Sequence, residues 1–391
     1  MIEHYIRGFE EELREIRHQI HENPELGLRE FKTSTLVAEK LRQWGYEVVQ
    51  GLATTGVVAT LKVGDGEKSI GLRADMDALP IYENSDKPWA SKQPGLMHAC
   101  GHDGHTTILL GAARYLAETR RFNGTLRLIF QPAEEMINGG EIMVKEGLFD
   151  RFPCDVIFGM HNMPGLPVGK FYFQPGALMA SMDQFHITVR GCGGHGAIPH
   201  KAIDSVVVAA HITTALQSIV ARNVDPLEAA GMLLITVARL VAVKAANVIP
   251  DSAEMKISVR SLSRETRQLL QTRLPALAQA QAASFGATAE VTHVNGTPVL
   301  VNDEEMARFA WQVACKTFGE ERAEFGIKPL MGSEDFSFML EAQPKGAFLL
   351  FGNGDVGEGA CMVHNPGYDF NDASLVPASS YWGALVETWL Q

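Results

Sequence analysis

Apolar and polar positions along the 391-residue chain alternate in two rhythms, and the change from one to the other divides it. The opening MIEHYIRGFEEELREIRHQI spaces apolar residues for a helix over about 3–20. FKTSTLVAEKLRQWG predicts a second helix ending at Gly45. β-rich runs follow at 56–63 (GVVATLKV) and 69–75 (SIGLRAD), then a helix through 105–119 and a strand at 125–131 (TLRLIFQ). A helix near 138–147 and a strand at 155–161 (DVIFGMH) complete this part. Such alternation predicts an α/β domain around a largely parallel sheet covered on both faces.

Between about 184 and 296 the order becomes strand (QFHITVRG), helix (205–222), strand (MLLITVARLV), strand (SAEMKISVRSL), helix (263–284) and strand (ATAEVTHV). That is the β-α-β-β-α-β order of a ferredoxin-like unit, whose exposed sheet edge could pair with a second copy. Helix–strand alternation resumes from 303. The expected organisation is one domain built from 1–183 and 297–391, with 184–296 inserted; 391 residues is also more than one core usually holds.

A formal net charge of −12 and the absence of a Lys/Arg cluster exclude nucleic acid as the expected partner. No apolar h-region opens the chain, and no charge-free apolar run predicts a bilayer span. The five cysteines (100, 154, 192, 315, 361) are odd in number and scattered, which fits free thiols in a reducing compartment. A cytoplasmic protein is expected.

Metal-ligand residue types stand at successive strand ends: Cys100 and His102 in MHACGHDGHT, Glu134–Glu135 in FQPAEE, His161 in FGMHN and His364 in CMVHNPGYDF. Each alone has an ordinary explanation as a buried thiol, a packed histidine or a surface glutamate. Together they suffice for two divalent ions with one carboxylate left over. Thiolate and imidazole suit zinc, cobalt, nickel or manganese better than magnesium or calcium. Adjacent glutamates diverge, so one can bind metal while its neighbour faces a substrate. His161 is expected to end its strand and His105 to begin the helix, and His98 and His105 are set aside as ligands. Asp77, in RADMDALP, is placed to orient a ligating imidazole, whereas Asp75 serves equally well as a turn cap. In the insert, GCGGHGAIPH exposes His195 among glycines, and Asn247 and Arg260 lie on β-like segments. Arg260 could grip a carboxylate bidentately, although a surface ion pair is the common role.

RADMDALP, MHACGHDGHT, FQPAEE, FGMHN, GGHGAIPH, NVIPDSAEMKISVR, MGSEDF and MVHNPGYDFND, with HENPELG at 21–27, run through nearly the whole chain. In these motifs it resembles the aminoacylase and carboxypeptidase-type dinuclear metallohydrolases. The likeness is closest to the branch of hippurate hydrolases, N-acyl-L-amino-acid amidohydrolases and plant auxin-amino-acid conjugate hydrolases. The resemblance implies a zinc-peptidase-like catalytic domain with a mixed sheet flanked by helices, an inserted ferredoxin-like lid that also forms a homodimer, and cleavage of N-acyl amino acids. It implies two ions held by Cys100, His102, Glu135, His161 and His364, with Glu134 as general base. His195 corresponds to a lid histidine that supports the oxyanion, and Asn247 and Arg260 to residues that meet the substrate. Asp75 stands where distant relatives have a His, Met163 where many close ones have an aromatic residue, and ARLVAVKAA where many have a glycine-containing stretch. Rival readings are a metallo-carboxypeptidase or dipeptidase, a thiol amidase with Cys100 as nucleophile, and a non-catalytic N-acyl amino acid binder.

Overall fold

The computed structural model describes residues 1–225, 233–241 and 246–391, with side chains at all of these except 136, 137, 233–241 and 358. Its contacts divide them into a larger unit (Met1–Gly176, Val301–Lys328 and Asp335–Gln391) and a smaller one (Ala177–Leu300 and Pro329–Glu334).

The larger unit is built on an eight-stranded sheet. Its order from edge to edge is Glu47–Leu52, Gly56–Val63, Gly124–Gln131, Ser69–Asp75, Val156–Pro164, Gly346–Gly354, Phe171–Phe173 and Ala323–Phe325. The sheet is mixed rather than largely parallel: 56–63 runs antiparallel to both its neighbours, and 346–354 is antiparallel to 171–173. Parallel pairings join 69–75 to its neighbours 124–131 and 156–164, and 156–164 to 346–354 in the centre, and 323–325 to 171–173 at one edge. Central strands are buried on both faces, so they carry runs such as Ile70–Gly71–Leu72 instead of an apolar–polar alternation. Each such Ile or Leu contributes roughly 1.5–3 kcal/mol on burial.

Against this sheet lies the helix His102–Thr119, buried almost all round. Glycine at 111 lets the C-terminal helix Leu375–Trp389 approach closely, and Ser379 Oγ there donates to the Ile108 carbonyl at 2.9 Å. The N-terminal helix is two helices, Ile2–Arg7 and Glu10–Glu22. Phe9 leaves the helical region after Gly8, where glycine weakens the helix by about 1 kcal/mol.

The smaller unit has a four-stranded antiparallel sheet in the order Leu233–Val241, Ser252–Ser261, Ser181–Arg190, Thr288–Thr297. Its helices are Ser205–Asn223 and Arg264–Ala283, which completes the β-α-β-β-α-β order. Apolar side chains alternate inward along 181–190, with Phe185, Ile187 and Val189 buried. By length and composition alone the helix Ser205–Asn223 could cross a membrane, a composition that core helices share. Its Val208, Ile212, Leu216 and Ile219 are buried in the unit's own core, and Asp204 caps its start. The expected strand MLLITVARLV begins at 232, and ARLVAVKAA covers 238–246; of these, 232 and 242–245 lie outside the described residues.

Candidate metal centre

Three adjacent parallel strands end on one side of the larger sheet, the usual place for an α/β site. From these ends come Asp75 and Asp77, the loop carrying Glu134 and Glu135, and His161. His161 is not the last residue of its strand, which continues through Asn162 to Pro164. The helix beside them begins at His102, three residues earlier than the expected start at His105, because Gly101 takes the left-handed conformation (φ 93°) as its N-cap. His364 arrives on a distant loop, where its amide donates to the Ala99 carbonyl at 2.7 Å.

Ligand atoms of Cys100, His102 and His161 lie within 4.8 Å of one another, as do those of Cys100, Glu135 and His364, and those of His102, Glu134 and Glu135. Cys100 Sγ is 3.3 Å from His161 Nε2, and His364 Nε2 is 3.1 Å from Glu135 Oε1. All five residues the sequence put forward as ligands therefore converge. The imidazoles of His102 and His161 are each oriented from behind. His161 Nδ1 donates to the Asn162 carbonyl at 2.6 Å, and His102 Nδ1 donates to Asp77 Oδ1 at 3.1 Å. Both leave Nε2 facing the cluster, and His102 Nε2 is buried without a hydrogen-bond partner. A fully buried nitrogen in that state, beside a thiol and a second imidazole, fits a divalent cation.

The electrostatics point the same way. Burial opposes a charge on His102, yet the Asp75 and Asp77 carboxylates raise it to about 10. Burial pushes the Cys100 thiol well above its ordinary range, and Glu135 and Glu134 add to this. Burial holds His161 well below 6.5, with His105 contributing. The pocket thus draws positive charge to its carboxylates, while a thiolate there needs a cation beside it.

Asp77 has two tasks: Oδ1 holds His102, and Oδ2 accepts from the Glu135 amide at 3.0 Å. Behind the clustered residues stands a layer that the sequence pattern does not reveal. His105 Nδ1 donates to Asp75 Oδ1 at 2.6 Å while its Nε2 accepts from the Asn162 amide at 3.0 Å, so both ring nitrogens are engaged. Asp75 also accepts from Arg73 Nη1 at 2.6 Å, and is no turn cap. Asn162 Nδ2 donates to the Cys100 carbonyl at 2.7 Å, and its Oδ1 accepts from Tyr368 at 2.8 Å. The available signal was the charge at alternate positions Arg73 and Asp75 in an otherwise apolar central strand, with Asp77 continuing the spacing just beyond its end.

His195, Asn247 and Arg260 belong to the smaller unit. His195 lies on the short strand Gly194–His195, opposite Val248, and the Gly196 amide donates to the Asn247 carbonyl at 2.9 Å. His195 and Asn247 are therefore neighbours. The Ala197 amide donates to His195 Nδ1 at 3.1 Å, which places the proton of the neutral ring on Nε2. Arg260, half-buried on Ser252–Ser261, donates to the Met331 carbonyl at 2.8 Å. No carboxylate among the described residues pairs with it, which sets aside the surface ion pair.

Comparison with known proteins agrees with this geometry. Residues 71–388 match the model for Peptidase family M20/M25/M40, and the chain belongs to that family. It is 47% identical over 380 residues to hippurate hydrolase of Campylobacter jejuni, covering 97% of each chain. It is 37% identical over 381 residues to N-acetylcysteine deacetylase of Bacillus subtilis, again covering 97% of each. Among solved structures it resembles the Bacillus subtilis YXEP protein, described as a dinuclear metal binding peptidase of family M20 (TM-score 0.83, 33% identity, covering 98% of this chain and 99% of that one).

Proposed function

We propose that this protein hydrolyses the amide bond of N-acyl amino acids, releasing a carboxylate and a free amino acid, with two divalent ions at the centre. The observation that carries this reading is the convergence of Cys100, His102 and His161, where His102 Nε2 has no hydrogen-bond partner and stands 3.8 Å from Asp75 Oδ2, with Glu134 and Glu135 side by side at the edge. Cys100, His102 and His161 would hold one ion and Cys100, Glu135 and His364 the other. This donor set favours manganese, zinc, cobalt or nickel. Bound there, such ions would supply Lewis acidity and bring the pKa of a water to about 7.

Glu134 is assigned as the base that takes the proton of the attacking water and passes it to the departing amine. His195 Nε2–H is assigned to the oxyanion that develops on the amide oxygen, and Arg260 to the substrate carboxylate, with Asn247 beside His195 at the substrate. Asp77 orients His102. The smaller unit would act as a lid and, through its outer strand Thr288–Thr297, as the contact of a homodimer; among the described residues that strand has a sheet neighbour on one side only. Free cysteines at all five positions support a reducing, cytoplasmic setting.

Glu134→Gln tests the central assignment. With N-benzoylglycine as probe, kcat should fall by about 10²–10⁴, while the metal content measured by mass spectrometry stays at the parental level. Near-parental turnover would remove Glu134 as the base. Activity on dipeptides but on no N-acyl amino acid would instead favour a dipeptidase.

A further inference from the structure

HENPELG and the residues just after it take no part in the chemistry above, yet they run directly beneath the glutamate pair. Gly27 sits against Ala133 so closely that a Cβ there would come within 2.8 Å of the Ala133 Cβ. Three residues on, Glu30 stands at the N-cap of the helix Phe31–Gln43 but does not cap it. Glu25 takes that role, accepting from the Lys32 and Thr33 amides at 3.0 Å. Glu30 is therefore free to turn inward, where it is fully buried. Its Oε1 accepts from the Ala133 amide at 2.9 Å and its Oε2 accepts from Thr55 Oγ1 at 2.5 Å.

Ala133 is the residue before Glu134, and it holds a left-handed backbone (φ 55°) that an alanine rarely adopts. Some contact has to hold it there. We propose that Glu30 is a positioning residue for the reaction: its carboxylate fixes the Ala133 peptide and thereby aims Glu134 and Glu135. Asp77 at the Glu135 amide and Asp335 at the Gly140 amide (2.8 Å) hold the two short helices that follow, Glu134–Ile137 and Gly139–Lys145. Glu30 thus anchors the leading end of this segment.

Burial lifts the Glu30 carboxyl to about 7, against the pull of the Thr55 hydroxyl. Both of its forms preserve the contact. The carboxylate accepts from both donors, whereas the neutral acid accepts from Ala133 and donates to Thr55 Oγ1. Glutamine offers the latter pattern too, with its carbonyl toward Ala133 and its NH₂ toward Thr55.

This inference rests on the roles given to Glu134 and Glu135, and Glu134→Gln assayed alongside keeps the two apart. Glu30→Met removes the acceptor at similar volume. With N-benzoylglycine and saturating manganese, its kcat should fall by about 10–100-fold, the order expected when a reacting group is displaced by about 1 Å. KM should move by less than about threefold, since substrate binding is left alone. Glu30→Gln should restore kcat to within about threefold of the parent, and Thr55→Val, which keeps the Ala133 contact, should do likewise. If Glu30→Met does not fold, Glu30→Asp is read in its place with the same expectations: it keeps the charge but is one methylene too short to reach Ala133. Parental kcat in the Met or Asp variant, beside an inactive Glu134→Gln, overturns the positioning role alone. Equal loss in the Gln, Val and Met variants also overturns it, since packing rather than the Ala133 contact would then be at work. Parental turnover in Glu134→Gln removes the base assignment instead.

Discussion

Replacing Asp77 by Asn isolates one carboxylate that serves two members of the cluster. Its Oδ1 accepts from His102 Nδ1 at 3.1 Å and its Oδ2 from the Glu135 amide at 3.0 Å. Asparagine is nearly isosteric but has one acceptor oxygen and one donor nitrogen, so it cannot serve both. If its NH₂ faces the Glu135 amide, two buried donors oppose each other, at about 1–3 kcal/mol. If it faces His102, the ring must move its proton to Nε2 and so block the nitrogen that points into the cluster. Either way the ligand set is disturbed at one point while the fold keeps its shape. Loss of a group that orients a ligating histidine typically costs about 10–100-fold in metal affinity, or ~1.4–2.8 kcal/mol at 1.4 kcal/mol per decade. Competition against a graded chelator, with bound metal counted by mass spectrometry, measures this directly. Parental metal affinity together with parental kcat in Asp77→Asn would refute the reasoning.

Two further outcomes follow from the geometry. Arg260→Ala should raise KM for N-benzoylglycine by about 10–100-fold, the worth of a charge-assisted hydrogen bond of about 1.5–3 kcal/mol, with kcat changed far less; a fall in kcat at constant KM would place Arg260 elsewhere in the reaction. Burial disfavours the charged form of His21, yet Asp103 at 2.8 Å and Glu83 raise it to about 9. Because the folded value lies above the unfolded one, its stabilisation is complete below pH 6.5 and is lost as pH rises through about 9. The full loss amounts to about 3 kcal/mol at 1.36 kcal/mol per unit. The thermal midpoint of the metal-loaded parent should therefore fall more between pH 6.5 and 9.5 than that of His21→Gln, and equal slopes would show that His21 does not titrate there.

The cluster of Cys100, His102, Glu135, His161 and His364 was legible because several metal-ligand residue types recur in order along one chain. The smaller unit was legible for a different reason: its strands face a core on one side and solvent on the other, so the alternation along 181–190 and 252–261 is written into the residues. The central sheet hid more. Strands buried on both faces show an apolar run and no direction, so the antiparallel pairings of 56–63 and of 171–173 with 346–354 could not be told from the parallel ones. Short strands such as Phe171–Phe173 leave too little pattern to read at all. The layer of Arg73, Asp75, His105 and Asn162 stayed hidden because each member is defined by a partner far away in sequence. Glu30 and Ala133 are a hundred positions apart for the same reason. His102 was placed one turn outside its helix because the left-handed Gly101, not a polar cap, begins it.

The two halves of the cluster differ in their access to water. Cys100 and His102 are buried and His161 is partly so, whereas His364 has a side chain 51% exposed on a loop with a left-handed backbone. A cation seated among the first three would be released slowly, since leaving means opening packed protein. One seated at His364 would trade readily with the surrounding solution, making its occupancy a gauge of whichever divalent ion is most abundant there.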